Sequence, residues 1–356
     1  MTHVSTTLSG NTIGVDLGDR TSHFCILDAE GEVIERGKLE TEGACFQHAF
    51  SRWAPSRVVM EVGTHSPWAS HMVESLGHEV IVANARNVRA IYDCDNKSDR
   101  VDAEKLARLG RFDVKLLHPI RHRSPQAQAD LVLVKTRTFL VSQRTATSNR
   151  IRSLVKTAGG RIPSDIGPEA LAKKARAHIP SELKRGLEPL LRHLAFTVTQ
   201  IREVEKEIRK LCRERYPETA LLRQVNGVGE ITSLSFVLTI EDPERFERCR
   251  DVGPYLGVVP RRDASGQRDP ELPITKAGSK HMRWLLVQCA QRILGRFGKD
   301  SDLRRWGLEL KDRGKKKAKK RAVVAVARKL AVLLLSLWKS GEEYEPLKNR
   351  EPSRAA

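Results

Sequence analysis

A chain of 356 residues with 40% apolar side chains is long for a single hydrophobic core and has the material for two domains. Lysine and arginine total 63 against 44 acids, a formal charge of +19. Solubility alone does not explain that excess. A polyanionic partner does, because each neutralised phosphate releases counterions. The aromatic share of 5% argues against an extended surface that works by stacking bases. Six cysteines (Cys25, Cys45, Cys94, Cys212, Cys249 and Cys289) include no CxxC pair, which excludes the usual zinc and disulfide frameworks. The opening MTHVSTTLSG lacks the layout of a signal peptide. The most apolar stretch, Ala322 to Trp338, is broken by Arg328 and Lys329 and falls short of a membrane span. These features predict a soluble intracellular protein with no membrane partner.

From Asn11 to about Leu117 the pattern is that of a layered α/β domain. Thr12–Gly18, Ser22–Asp28 and Glu32–Glu40 read as an antiparallel meander. Ala44–Trp53 reads as a helix, Arg57–Val62 as a strand, Pro67–Leu76 as a helix and Glu79–Ala83 as a strand. A meander followed by βαβ units is the order of an RNase H-like domain. The middle, Gln126 to about Ala158, has no internal proline or glycine and stops on Gly159-Gly160. Between Glu188 and Cys212, Leu191, Leu194, Val198, Ile201, Val204, Ile208 and Leu211 recur at helical steps, a coiled-coil-like seam. That seam serves equally for a hairpin closing on its own chain or for an intersubunit contact. From about Pro217 a further region holds a helical segment, the turn Asn226-Gly227-Val228-Gly229, a helix Glu230–Ile240, loops from Asp242 to Ala277, and a helix from about Lys280 to Leu294. Lys311–Arg321 carries eight basic residues in eleven, an apolar helix runs on to Trp338, and the tail after Gly341 is polar. The expected divisions are 11–125, a long helical middle 126–216, a mostly α-helical C-terminal domain 217–340, and a loose tail 341–356.

Within TIGVDLG, strand alternation turns Ile13, Val15 and Leu17 to the core and Gly14, Asp16 and Gly18 to the other face. Asp16 then stands on a surface without neighbouring side chains, open to a phosphate backbone and a metal; a local turn bond is the plainer role. Glu61 ends the apolar run Val58–Val62, where a carboxylate is costly unless paired, metal-bound or exposed at the strand tip. In Lys97-Ser98-Asp99-Arg100-Val101-Asp102, a helix start puts Asp99 and Asp102 on one face. They repel unless a cation lies between them, although first-turn acids also suit the helix dipole. Asp93 and Asp95 lie nearby. Together the four acids make a two-metal centre for Mg²⁺, which suits phosphoryl transfer.

Ser265-Gly266, in a polar loop, is sterically open for a nucleophile, though Ser-Gly is common in turns. Lys276, Lys280 and Arg283 follow in ITKAGSKHMR and suit phosphate binding, or a solvated helix start. The Gly227–Gly229 turn resembles a helix-hairpin-helix, whose backbone N–H groups grip phosphate. On so basic a chain the run containing Lys315, Lys316 and Lys317 is expected to touch nucleic acid.

Taken in order, Asp16, Glu61, KSDRVDA, NGVG, YLGVVP, Ser265-Gly266 and ITKAGSKHMR resemble the DEDD transposases of bacterial insertion sequences, the bridge-RNA-guided recombinases. The resemblance spans roughly 11–160 and 218–300. It implies a RuvC-like RNase H fold with Asp16, Glu61, Asp99 and Asp102 as Mg²⁺ ligands. It implies that Ser265 attacks DNA to form a phosphoserine link without hydrolysis, and that a structured bridge RNA pairs with the DNA. It also implies a homo-oligomer, dimer or tetramer, in which the acids of one subunit meet the serine of another, working at the bacterial nucleoid. Asp19 departs from the lysine expected in many relatives. Two other enzyme readings are weighed. GVDLG also opens actin-like ATPases and sugar kinases, but their second phosphate strand and adenosine glycine pair are not found. A hydrolytic junction-resolving nuclease would leave Ser265 idle.

Overall fold

The alternating apolar pattern at the start of the chain forms a meander: β1 (Thr12–Asp16), β2 (Thr21–Leu27) and β3 (Val33–Glu40). The computed structural model describes residues 10–84, 99–265, 270, 272–313 and 318–348. Asp93, Asp95, Cys94, Lys97, Ser98, Gly266 and Lys315–Lys317 lie outside the described residues, as does the tail from 349 to 356. β2 pairs antiparallel with β1, setting His23 opposite Asp16, and β3 pairs antiparallel with β2. Helix α1 (Gly43–Arg52), β4 (Arg57–Glu61), α2 (Ser66–Ser75) and β5 (Glu79–Ala83) follow. β4 lies parallel to β1 and β5 parallel to β4, so the sheet order is β3-β2-β1-β4-β5. Parallel neighbours need a crossover, and the helices provide it.

Both faces of this sheet are covered. On one, Phe46, Phe50, Ala69 and Val73 of α1 and α2 pack on Ile13, Val15, Val58 and Met60. On the other lies α3 (Asp99–Phe112), which contacts β1, β2 and β4 through Ala103, Ala107 and Gly110. Its approach is close. A Cβ at Gly14 would fall 2.0 Å from the Ala103 carbonyl oxygen, and one at Gly110 would fall 2.2 Å from Val59 Cγ2. The expectation that Gly14 leaves a face open to phosphate is therefore corrected: the missing side chain makes room for α3. The exposed edge β3 carries Glu35, Arg36, Lys38 and Glu40, charges that discourage pairing with another strand.

The chain divides into two compact units, 1–126 and 127–356. The second is almost wholly helical. Its first long helix, α4 (Pro125–Thr157), runs antiparallel to α6 (Ser181–Glu214), with α5 (Pro168–Lys174) between them in sequence. Arg137 bonds Glu205 across the pair at 2.7 Å. Buried Asp130 accepts from Arg215 at 2.7 Å and from the Tyr216 hydroxyl at 2.6 Å. The seam residues Leu191 and Leu194, with Leu187 one turn earlier, pack with Ile151 and Val155, while Ile208 and Cys212 pack with Ala127, Leu131 and Val134. Both ends of the seam thus close on the chain's own helices.

Helix α6 begins seven residues before the predicted Glu188 and carries Pro189 inside it. The missing proline N–H removes a partner from a carbonyl on a stretch where Lys184, Arg185 and Gly186 are exposed, so that carbonyl is open to solvent. The buried face of Leu187, Leu191 and Leu194 holds the helix together there.

The remaining elements are α7 (Glu218–Leu222), α8 (Glu230–Ile240), α9 (Val252–Leu256), α10 (Lys280–Leu294), α11 (Asp302–Asp312) and α12 (Ala318–Ser340). Leu330, Leu334 and Leu335 of α12 lie at the centre of their core, against Phe236, Leu256 and Leu286 among others. Among the described residues no helix is long and apolar enough to cross a membrane. The described cysteines are free thiols. Among the described residues the protein is a mixed α/β chain with one five-stranded sheet and a predominantly helical remainder.

Candidate active site

Asp16 is the last residue of β1 and Glu61 the last of β4. The two strands run parallel, in register through Val15 and Met60, so both carboxylates leave the sheet at its carboxyl end. Crevices at the carboxyl ends of parallel strands are where α/β proteins gather ligands. Helix α3, seated over Gly14, brings Asp99 and Asp102 in its first turn to the same end. The consequence is electrostatic. Partial burial pushes the Asp16 carboxyl up first, then Asp99, Asp102 and Glu61 in that order, to about 6; His23 opposes them. A carboxylate raised by three neighbouring acids is one that a cation would relieve.

The side chains do not form a closed cage. Among the described residues no three His, Cys, Asp or Glu side chains make a ready metal cluster, and the Asp99 side chain is 72% exposed. The donor chemistry nonetheless fits Mg²⁺: hard oxygens, few in number, with room for water.

Two histidines escaped the sequence reading. His23 Nδ1 stands 3.8 Å from Asp99 Oδ2, and its place directly across the ladder from Asp16 puts both on one face. A histidine one hairpin away from the first acid was the available signal. His65 Nε2 stands 3.7 Å from Asp19 Oδ1, and its Nδ1 accepts from Trp68 Nε1 at 3.1 Å. The Asp19 carboxylate is 96% exposed, and it is not one of the charges that move Asp16.

The turn after Glu61 is pinned by Ser66. Its buried Oγ lies 2.9 Å from both the N and O of Gly63 and 2.8 Å from His122 Nε2. Burial first, then His71 and Arg123, hold the His122 imidazole below its ordinary pKa.

Ser265 belongs to the second unit, where residues 261–265 form an exposed loop. Its root is a short ribbon in which Arg261 N donates to Pro273 O and Thr275 N to Val259 O, each at 2.9 Å. Beneath the root the YLG and KAG segments interlock. Gly257 and Gly278 take φ of 66° and 63°; a Cβ at Gly257 would lie 2.3 Å from the Ala277 backbone, and one at Gly278 2.2 Å from Tyr255 O. Lys276 holds φ 57°, rare for a residue with a side chain. Arg283 Nη1 donates to the carbonyls of Leu256 and Gly278, each at 3.2 Å, and of Ala277. In this structure that guanidinium braces the loop, whereas Lys276 and Lys280 are exposed.

Gly227, at φ 93°, packs its backbone on Ile293 and Arg292. Gly229 caps α8 without a covering side chain, and Glu230 in the first turn stands 3.7 Å from Arg223. Of the residues singled out from sequence, the fold gathers Asp16, Glu61, Asp99 and Asp102 in the first unit. Ser265, Lys276, Lys280, Arg283, Gly227 and Gly229 belong to the second.

Comparison with known proteins supplies the class: these are the parts of a DNA transposase. A family model of DEDD type, described as Transposase, matches residues 13–159, and a second, the Transposase IS116/IS110/IS902 family, matches residues 219–305. The chain belongs to this insertion-sequence transposase family, whose members cleave and rejoin DNA. The transposase for insertion sequence element IS1328 of Yersinia enterocolitica is 27% identical over 287 residues, 80% of this chain and 84% of that one. The transposase for element IS1111A of Coxiella burnetii is 27% identical over 341 residues, 93% and 90% of the two chains. The pilin gene-inverting protein of Moraxella bovis is 21% identical over 348 residues, 95% and 98% of the two.

Proposed function

We propose that the protein recombines DNA by attack of Ser265 on a phosphodiester, assisted by Mg²⁺ held on Asp16, Glu61, Asp99 and Asp102. The observation that carries this reading is the placement of four acids from three separate elements, β1, β4 and α3, at one sheet end, with the raised Asp16 carboxyl its electrostatic consequence. The order β3-β2-β1-β4-β5, an antiparallel meander continued by parallel strands, supports an RNase H-like, RuvC-like fold for the acidic domain.

In the proposed step the Ser265 Oγ forms a bond to phosphorus and gives its proton to a base or water. The bond from phosphorus to a sugar oxygen breaks, and that oxygen leaves as a hydroxyl after taking up a proton. The serine–phosphate ester conserves the linkage, so a sugar hydroxyl from another strand reverses the reaction and joins the strands. Mg²⁺, when bound, supplies Lewis-acid stabilisation of the phosphoryl oxygens. Asp16 and Glu61 hold their places by ending adjacent strands, and Asp99 and Asp102 by the seating of α3 on Gly14. The exposed lysines 276 and 280, the turn at Gly227 and Gly229, and the run at Lys315–Lys317 are proposed to hold phosphates, with Arg283 fixing the loop between them.

The reading includes the division into an acidic domain (11–125), a long helical middle (126–216) and a serine-bearing C-terminal domain (217–340). It also includes a structured guide RNA, a homo-oligomer, and action in the bacterial cytoplasm at the nucleoid. Ser265→Ala should abolish a covalent protein–DNA adduct, seen as a slow band on denaturing gels, while DNA binding persists. Strand cleavage undiminished by that substitution would point instead to a hydrolytic nuclease.

A further inference from the structure

At the root of the Ser265 loop lies a groove of about 890 Å³. Its walls are apolar: Val258, Pro260 and Ile274 from the ribbon, Val324 and Ala325 from α12, and Trp306 from α11. Its rim is cationic, with Lys320, Arg321, Arg328 and Lys329 and no carboxylate among the described lining residues. Lys329 Nζ stands 4.4 Å from the Trp306 ring centre, which keeps one cation at the apolar wall.

An apolar slot of this size with an all-cationic rim selects a ligand that is flat and apolar in the middle and anionic at its edges. It is of small-molecule dimensions, and no described side chain fills it. An unstacked nucleotide answers that description, with its base against the aliphatic walls and Trp306 and its phosphates toward the rim.

Resting on the DNA-recombination reading above, we propose that this groove binds a flipped or single-stranded DNA nucleotide close to the phosphodiester that Ser265 attacks. DNA is favoured over RNA because the apolar walls offer a 2′-hydroxyl no partner. The position fits as well. Pro260 at the groove and Ser265 are five residues apart, a span of at most ~18 Å even when fully extended. A base held there is therefore within a few nucleotides of the serine.

The test uses the full-length protein and three short single strands in fluorescence polarisation: an oligothymidylate, an abasic strand of equal phosphate count, and an oligouridylate. The wild type should favour thymidylate over the abasic strand by about fivefold or more. Ala325→Phe, which fills the slot, should remove that preference while binding to the abasic strand is unchanged. Ultraviolet crosslinking of a 5-iodouracil strand to the wild type should attach at Trp306 or the facing segment of α12, and this arm needs no variant.

A preference that survives Ala325→Phe, or a crosslink elsewhere, overturns the groove. So does equal wild-type binding of thymidylate and abasic strands, which leaves the DNA-recombination reading intact. A preference for oligouridylate that Ala325→Phe removes would make the occupant RNA. A change of sedimentation with Ala325→Phe would make it a second copy of the chain; either result rejects the proposal. Wild-type protein that binds none of the strands would strike the recombination reading itself.

Discussion

Replacing Asp16 with Asn should make the metal-free protein more stable, although it removes the first of the proposed metal ligands. In the folded chain the Asp16 carboxyl is moved from 3.8 to about 6 by burial and by Asp99, Asp102 and Glu61. The folded state therefore binds more protons than the unfolded state between those values, and stability falls as pH rises through that window. A full shift corresponds to about 3 kcal/mol, and because Asp16 is only partly buried the retained effect is roughly 1–2 kcal/mol. Asp16→Asn lacks that penalty. Its advantage should be absent near pH 4, grow to about pH 6 and stay level above it. Urea denaturation of both proteins in EDTA across pH 4–8 measures it. Excess Mg²⁺ should reverse the order, stabilising the wild type by about 2.7 kcal/mol at a hundred times its dissociation constant and Asp16→Asn far less. A variant equal to or weaker than the wild type at pH 8 without metal would refute the claim that the four acids act on one another.

Gly14→Ala should destabilise the first unit by about 2–3 kcal/mol, because the new methyl meets the Ala103 backbone and α3 has to move; a urea midpoint checks this. Arg283→Lys should cost about 1–2 kcal/mol and loosen the KAG loop, since an ammonium cannot reproduce the guanidinium's contacts with the Leu256, Ala277 and Gly278 carbonyls. Calorimetry of the variant measures the loss, and unchanged stability would mean that the brace is idle.

Elements whose logic is local were legible in the sequence. Alternation marked the meander and the strands Arg57–Val62 (observed to Glu61) and Glu79–Ala83, and the helices read from Glu230 to Ile240 and from about Lys280 to Leu294 are α8 and α10 at the bounds observed. The Asp-x-x-Asp spacing likewise fell in the first turn of α3. What stayed hidden depends on contacts distant in sequence. A glycine in a strand announces that something comes close without saying what, and at Gly14 the neighbour is a helix roughly ninety residues on. The seam was read only from Glu188 because apolar periodicity is local, while the leucines that carry α6 through Pro189 find their partners on α4 and α5. Arg283 looked like a phosphate ligand because its three carbonyls belong to two loops that only the fold interlocks.

The two proposed centres are held by opposite means, and that difference is measurable. The acids rest on a rigid sheet, yet Asp99 and its neighbours Arg100 and Val101 are exposed at the helix start, where charge repulsion on Asp16 remains until a cation arrives. The root of the serine loop needs no ligand to be firm, because two left-handed glycines, a backbone bridge and one guanidinium already lock it. Amide hydrogen exchange should therefore find the Arg261 and Thr275 N–H groups protected with or without Mg²⁺. The peptide spanning Asp99–Asp102 should exchange quickly in EDTA and slow on adding Mg²⁺, and Asp16→Asn should erase that slowing. Equal protection of the α3 start in both conditions would mean that its acids are already at rest, and that the repulsion raising Asp16 is not what a metal relieves.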